Sequence, residues 1–277
     1  MTRMHLLHFL TRHLLGLGLF ALTAGVVPTT AGAQDAAIRP SGPAVEKPLH
    51  GGQHFRIAYP KMGAVHVWVP KGYVRKTAGI VVYLHGYHTT VDKAFVDHKL
   101  AEQFSKSRQN AIFIVPACPA GKEEGVVWTS LSQLKKSIQA ANIRLPDGET
   151  VVAAHSGGFR TVRHWTDNRL LKQIILLDAM YGGFNEFKDF IATGARAAHR
   201  RMILVTADTD TQTRRFTREF NFAVTRTGVP ADFTGFTSRE KKSRLLYIKS
   251  QYDHYAIITS MTVLPVLLRL TPLRLLP

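Results

Sequence analysis

A serine attacks a carbonyl only when a neighbouring base takes its proton, and that base needs a carboxylate to fix its tautomer. The sequence offers such a serine at Ser156, inside Val151-Val152-Ala153-Ala154-His155-Ser156-Gly157-Gly158. An apolar, strand-like run enters the serine, and a helical pattern through Phe159, Val162 and Trp165 leaves it. A serine on a sharp strand-to-helix turn has a strained backbone that tolerates only small residues two before and two after it, here Ala154 and Gly158. Such a turn lifts Oγ above the sheet edge, and the Gly157 N–H can help hold an oxyanion there.

Three histidines follow the serine: His164, His199 and His254. His254 has the context of a general base, since it lies six residues beyond an apolar strand pattern ending at Ile248 and just before an apolar helical stretch, Ala256 to Leu268.

The serine turn resembles the nucleophile elbow of the α/β-hydrolase superfamily, usually written G-x-S-x-G, with Ala154 standing where the first glycine is usual. Ile80-Val81-Val82-Tyr83-Leu84-His85-Gly86-Tyr87 is similar to the third strand and H-G oxyanion loop of the same superfamily, 70 residues before the elbow. The resemblance runs from about residue 60 to the C-terminus. It implies the Tyr87 N–H as second oxyanion donor and the chain order serine, acid, histidine. By that pattern the acid follows the strand Met202 to Val205, where Asp208 and Asp210 are available and Asp210 has the better spacing; some lipases carry it one strand earlier, where Asp178 directly follows Ile174-Ile175-Leu176-Leu177. A carboxylate there is costly unless something pairs with it, whereas Asp208 and Asp210 are also explained as helix N-caps. Asp178 is preferred, with Asp210 and Asp208 left open.

His85, Gly86, His155, Trp128 and Tyr181 stand close to these motifs or to strand ends and are candidates for contacting substrate. His85 and His88, with Asp92, Asp97 and His98, could be drawn as a metal cluster, but their spacings match no zinc-hydrolase motif, and no metal is expected. Nothing calls for a cofactor.

These residues need a scaffold. Apolar runs at Ala64–Val69, Gly79–Leu84, Ala111–Val115, Thr150–Ala154, Gln173–Leu177, Met202–Val205 and Leu245–Ile248 alternate with helical stripes: Val96, Leu100 and Phe104; Leu131, Leu134 and Ile138; Phe184, Phe187, Phe190 and Ile191; Phe216 and Phe220. The alternation predicts an α/β fold, a mostly parallel sheet flanked by helices, with no large lid domain. Residues 1–33 read as a cleaved export signal: Arg3 and Arg12 precede the apolar Leu14–Val27, and Ala31-Gly32-Ala33 precedes cleavage before Gln34. Residues 34–60 read as an N-terminal arm or linker and 61–277 as the catalytic domain. Cys118, the lone cysteine, is expected to be a buried spectator.

The formal charge of +17, or +15 without the signal, would attract an anionic cell-envelope surface and could hold nucleic acid nonspecifically, but the basic residues are scattered through many segments, as on an ordinary solvated surface, and no motif for specific nucleic acid is present. The expected protein is thus a secreted or periplasmic serine hydrolase that cleaves esters through an acyl-enzyme and acts on a small or lipid-like substrate. An amidase or peptidase would use the same residues, and a noncatalytic basic envelope-binding protein is the alternative from a different class.

Overall fold

The computed structural model describes residues 35–277, so the expected export signal lies outside the described residues. Ten strands form one sheet: β1 (Val45–Leu49), β2 (Gly52–Tyr59), β3 (Gly63–Pro70), β4 (Gly79–Leu84), β5 (Ala111–Pro116), β6 (Thr150–His155), β7 (Leu171–Leu177), β8 (Arg201–Thr206), β9 (Ala223–Thr227) and β10 (Leu245–Lys249). Their order across the sheet is β1-β2-β3-β5-β4-β6-β7-β8-β10-β9. The pairs from β1 to β5 are antiparallel, and every pair from β5 onward is parallel. This is the mostly parallel, helix-flanked sheet that the sequence predicts.

The interior strands are apolar throughout because both faces are covered. On β4, Ile80, Val82 and Leu84 enter one core with Trp128, Leu134 and Phe187, while Val81 and Tyr83 enter the other with Phe95, Phe104 and Leu264. Helices α1 (Val91–Asp97), α2 (Leu100–Ser107), α3 (Leu131–Ala140), α4 (Phe159–Val162), α5 (Phe184–Ala192), α6 (Asp210–Thr217) and α7 (Ser238–Lys242) connect the strands, and α8 (Ala256–Thr259) and α9 (Val263–Leu268) follow the last one. No helix among the described residues is long and apolar enough to cross a membrane.

Three expectations need correction. Residues 34–60 are not all arm: His50 and Gly51, both at positive φ, close a two-residue hairpin loop between β1 and β2, and β2 pairs with β3 along its whole length. The stripe Val96, Leu100, Phe104 is split between α1 and α2 by Lys99 in the left-handed region, which turns Val96 out to 68% exposure. Met261, also left-handed, likewise divides the stretch from Ala256 to Leu268 into α8 and α9.

The sheet brings the carboxyl ends of β4, β6, β7, β8 and β10 to one edge. The chain runs outward from β4 to β5 on one side and to β6 on the other, and at such a switch point an open α/β sheet leaves a crevice for a ligand.

Candidate active site

β6 ends at His155, and Ser156 follows at φ 49, a left-handed conformation that costs a serine about 1–3 kcal/mol and persists only where the surroundings enforce it. The enforcement is visible in the glycines around it. A Cβ on Gly86 would stand 2.6 Å from Ser156 Cβ, and one on Gly158 would stand 2.6 Å from the Leu84 carbonyl oxygen. The loop after β4 therefore crosses directly against the serine, and the turn after the serine packs directly on the end of β4.

His254, in the loop between β10 and α8, places Nε2 3.0 Å from Ser156 Oγ. Its Nδ1 lies 2.6 Å from Asp178 Oδ2. Asp178 follows β7 at φ 47 and is wholly buried. The turn after β8 satisfies it: Oδ1 accepts from the Ala207 N–H at 2.9 Å, the Thr209 N–H at 2.9 Å and the Thr209 hydroxyl at 2.6 Å, and Oδ2 accepts from the Asp208 N–H at 3.1 Å. Burial alone would raise the pKa of this carboxyl. The bonds from His254, Thr209 and the backbone amides outweigh it and hold the group well below the usual carboxylate range. His254 moves the opposite way, raised chiefly by its bond to Asp178 against the effect of its own burial.

The other candidate acids are engaged elsewhere. Asp210 opens α6 and binds the Tyr247 hydroxyl, Thr206 Oγ1 at 3.3 Å and Arg214 Nη2 at 2.5 Å. Asp208 is 68% exposed, with Oδ2 3.9 Å from His254 Nδ1. Neither caps α6 as expected: the N-cap position falls on Thr209, and no side chain makes a capping bond there. Asp178, Asp208 and His254 also bring possible metal-ligand atoms within 4.8 Å of one another. With His254 and the four donors of the turn on it, however, Asp178 has about four lone-pair sites already spoken for.

His155 is buried, and its Nε2–H donates to the His254 main-chain oxygen at 2.9 Å, tying the serine strand to the histidine loop. Burial is the main cause that pulls its imidazole down to about 3, so it stays a neutral donor. His85 is fully buried: Nδ1 donates to the Gly86 oxygen at 2.8 Å, and Nε2 accepts from the Cys118 N–H at 3.0 Å.

The cleft over Ser156 encloses about 470 Å³. Among the expected substrate contacts, His155 and Tyr181 line it, as do Tyr87 and Gly157. His85 and Gly86 do not; they shape the loop from behind. Trp128 is a core residue, fully buried and edge-on to Tyr59 at 5.4 Å, because the segment before α3 folds inward beneath β2. The residues drawn as a metal cluster do not converge: Asp92 pairs with Arg56, and His98 faces the Tyr83 hydroxyl. Cys118 is buried, and burial pushes its thiol up to about 12.

Sequence reasoning missed His88, Lys122, Phe159 and Tyr255 in the cleft wall. It also missed Arg160, which donates to the Lys122 oxygen at 2.8 Å, the Glu124 oxygen at 2.8 Å and the Tyr87 hydroxyl at 3.1 Å, and so holds the loop that carries Lys122 over the cleft. His88, Phe159 and Tyr255 adjoin the oxyanion, serine and histidine motifs and could have been found on that ground; Lys122 and Arg160 depend on loop closure.

Chemically, this constellation can deprotonate a serine hydroxyl, hold the resulting imidazolium against a carboxylate, and do so in a cleft walled by aromatic rings.

No protein-family model and no curated protein matches the chain. Solved structures similar to it include an S-formylglutathione hydrolase from Agrobacterium tumefaciens (13% identity, 80% of this chain and 96% of that one, TM-score 0.47). A ferulic acid esterase is similar at 8% identity, over 83% and 99% of the two chains, with a TM-score of 0.49. A fluorophosphonate-binding serine hydrolase of Staphylococcus aureus is similar at 12%, over 81% and 99%, with a TM-score of 0.46. Likenesses this distant assign no activity to the chain, whose chemistry has to come from its own side chains.

Proposed function

We propose that this protein is an exported serine esterase of the α/β-hydrolase type, working through Ser156, His254 and Asp178. The observation that carries the reading is the continuous relay from Ser156 Oγ to His254 Nε2 at 3.0 Å and from His254 Nδ1 to Asp178 Oδ2 at 2.6 Å. His254 Nε2 takes the serine proton as Oγ attacks the ester carbonyl, and Asp178 stabilises the imidazolium that forms. The Tyr87 and Gly157 N–H groups receive the developing oxyanion. Collapse expels the alcohol, which takes the proton from His254, and leaves an acyl-enzyme on Ser156. A water deprotonated by His254 then attacks that ester, and collapse releases the acid as Ser156 Oγ takes the proton back from His254. The substrate is a small or lipid-like ester, suited to a cleft walled by Tyr87, Phe159, Tyr181 and Tyr255.

The pattern of residues 1–33 supports the export part of this reading, and the net positive charge would attract the mature chain to anionic envelope polymers. The decisive experiment is fluorophosphonate labelling of wild type and Ser156→Ala. Labelling of the wild type alone is expected; equal labelling of both removes Ser156 as nucleophile, and no labelling of either favours a binding protein on this fold.

A further inference from the structure

The two amides that would hold the oxyanion are joined through one side chain. A Cβ on Gly157 would stand 2.5 Å from Tyr87 Cε1, 2.6 Å from Cδ1 and 2.8 Å from Cζ, so the Tyr87 ring lies directly on the Gly157 main chain with no room for a side chain between them. The residue that carries one donor N–H thus rests its ring on the residue that carries the other. The position of that ring sets the distance between the two donors.

The peptide that holds the Tyr87 N–H is fixed from behind. Gly86 packs on Ser156, where a Cβ on it would stand 3.2 Å from Oγ, and its oxygen accepts from His85 Nδ1 at 2.8 Å. In a planar trans peptide the next N–H points away from that oxygen, so the Tyr87 N–H turns away from His85. What remains is the lateral position of the loop, and there the ring makes its contact.

Arg160 holds the ring. Residues 156–162 are continuously helical, which puts Arg160 one turn beyond Gly157 on the same face. Its Nη1 donates to the Tyr87 hydroxyl at 3.1 Å, and its Cζ lies 5.8 Å from the ring centre. The same guanidinium donates to the main-chain oxygens of Gly121 at 3.3 Å, Lys122 at 2.8 Å and Glu124 at 2.8 Å. All four acceptors are neutral oxygens, so the guanidinium acts as a rigid fork that holds chain segments together, not as half of an ion pair. The His88 N–H closes the same junction by donating to the Ala120 oxygen at 2.8 Å. The segments after β4, β5 and β6 therefore meet at Arg160, next to the oxyanion donors.

We propose that the Tyr87 side chain and Arg160 are positioning residues for the oxyanion hole: the ring spaces the Tyr87 N–H from the Gly157 N–H, and Arg160 locks the ring by its hydroxyl. This role rests on the serine-esterase reading above and adds how the hole is kept at its working width. Arg160 need not touch substrate. An amide aimed at an oxyanion gains strength only as charge develops, so displacing it costs turnover and leaves ground-state binding nearly unchanged.

The test compares wild type with Tyr87→Phe, which keeps the ring and removes its anchor, with Arg160→Met, and with the double variant. On p-nitrophenyl acetate, kcat should fall about ten- to a hundredfold in each single variant, short of the roughly 10²–10³ for losing a donor outright, while KM stays within about threefold. The double variant should lose little more than the worse single one, because both remove the same bond. A second readout isolates the oxyanion. Ser156 Oγ adds to the carbonyl carbon of 1,1,1-trifluoro-4-phenylbutan-2-one, its proton passes to His254 and the carbonyl π pair to oxygen, so the adduct carries an oxyanion; 4-phenylbutan-2-one serves as the unreactive control. Inhibition by the fluoroketone should weaken in step with kcat/KM, and inhibition by the plain ketone should stay within about threefold. Unchanged kcat in both single variants, equal weakening of both ketones, or additive losses in the double variant would overturn the brace and leave the esterase standing. A wild type that neither hydrolyses the ester nor takes a fluorophosphonate label would overturn the esterase reading and the brace with it. Tyr87→Phe removes a single oxygen and decides the matter alone if Arg160→Met fails to fold.

Discussion

Asp178→Asn tests the relay at the point where the structure is most specific. Asp178 receives five donors, three on Oδ1 (Ala207 N–H, Thr209 N–H, Thr209 hydroxyl) and two on Oδ2 (Asp208 N–H, His254 Nδ1). An asparagine has one oxygen to place. Setting it on the Oδ1 side keeps three bonds, against two on the other, so the NH2 group is driven toward His254. It would then donate to Nδ1, force the proton onto Nε2, and turn the base at Ser156 into a donor. Asparagine also accepts the left-handed backbone at φ 47, so the fold should survive, with the Asp208 N–H losing its partner at a cost of about 1–3 kcal/mol. The expected loss in turnover of p-nitrophenyl acetate is on the order of 10⁴, or about 5 kcal/mol of transition-state stabilisation. Asp210→Asn, in a residue bound to Tyr247 and Arg214, should cost under about tenfold. A folded Asp178→Asn enzyme that keeps more than about a tenth of wild-type turnover would refute the reasoning, as would a larger loss from Asp210→Asn.

Three further outcomes are expected. Because the Asp178 bond raises the pKa of His254 and catalysis needs the neutral imidazole, kcat/KM should fall on acidification with a midpoint above the ordinary 6.5, and Asp178→Asn should move that midpoint down; a wild-type midpoint at or below 6.5 contradicts this. Gly86→Ala, whose Cβ would stand 2.6 Å from Ser156 Cβ and 3.2 Å from Oγ, should lower kcat by about ten- to a hundredfold while thermal unfolding shows a folded protein; unchanged kcat would mean the loop yields freely. His155→Leu removes the donor to the His254 carbonyl and should lower kcat by about tenfold with little change in KM, and His155→Gln, which can still donate, should recover most of it; equal loss in both would make His155 a packing residue.

The strands that were legible in the sequence are those buried on both faces, where an unbroken apolar run is the only chemistry that fits. β1, β2 and β9 were not. β1 is an edge strand whose Val45, Glu46, Lys47 and Pro48 face solvent, and β9 forms the opposite edge with Thr225 and Thr227 exposed. β2 alternates faithfully, with Phe55 and Ile57 toward one core, but its other face carries His54 and Arg56, whose partners His66 and Asp92 are distant in the chain. A polar face satisfied by long-range partners looks like a loop until those partners are in place. Helix breaks at Lys99 and Met261 were hidden for a related reason: neither is a residue that marks a left-handed backbone.

The site shows the same divide between local and distant causes. Ser156 and His254 could be read from their own neighbours, since an elbow and a post-strand loop are each encoded within about ten residues. The acid could be preferred but not fixed, because Asp178 and Asp210 both follow apolar strands and the partners that separate them come together only on folding. Sheet order supplies the difference. β6, β7, β8 and β10 lie side by side, so the serine and the acid sit on adjacent strands while β8 separates the acid from the histidine loop. The turn after β8 therefore lies against Asp178 and delivers the amides of Ala207, Asp208 and Thr209 to it. Those same bonds fix how the turn enters α6, and they swing Asp210 onward to Tyr247 and Arg214. One turn thus makes Asp178 tolerable in the core and keeps Asp210 from His254, so the two assignments are alternatives by construction.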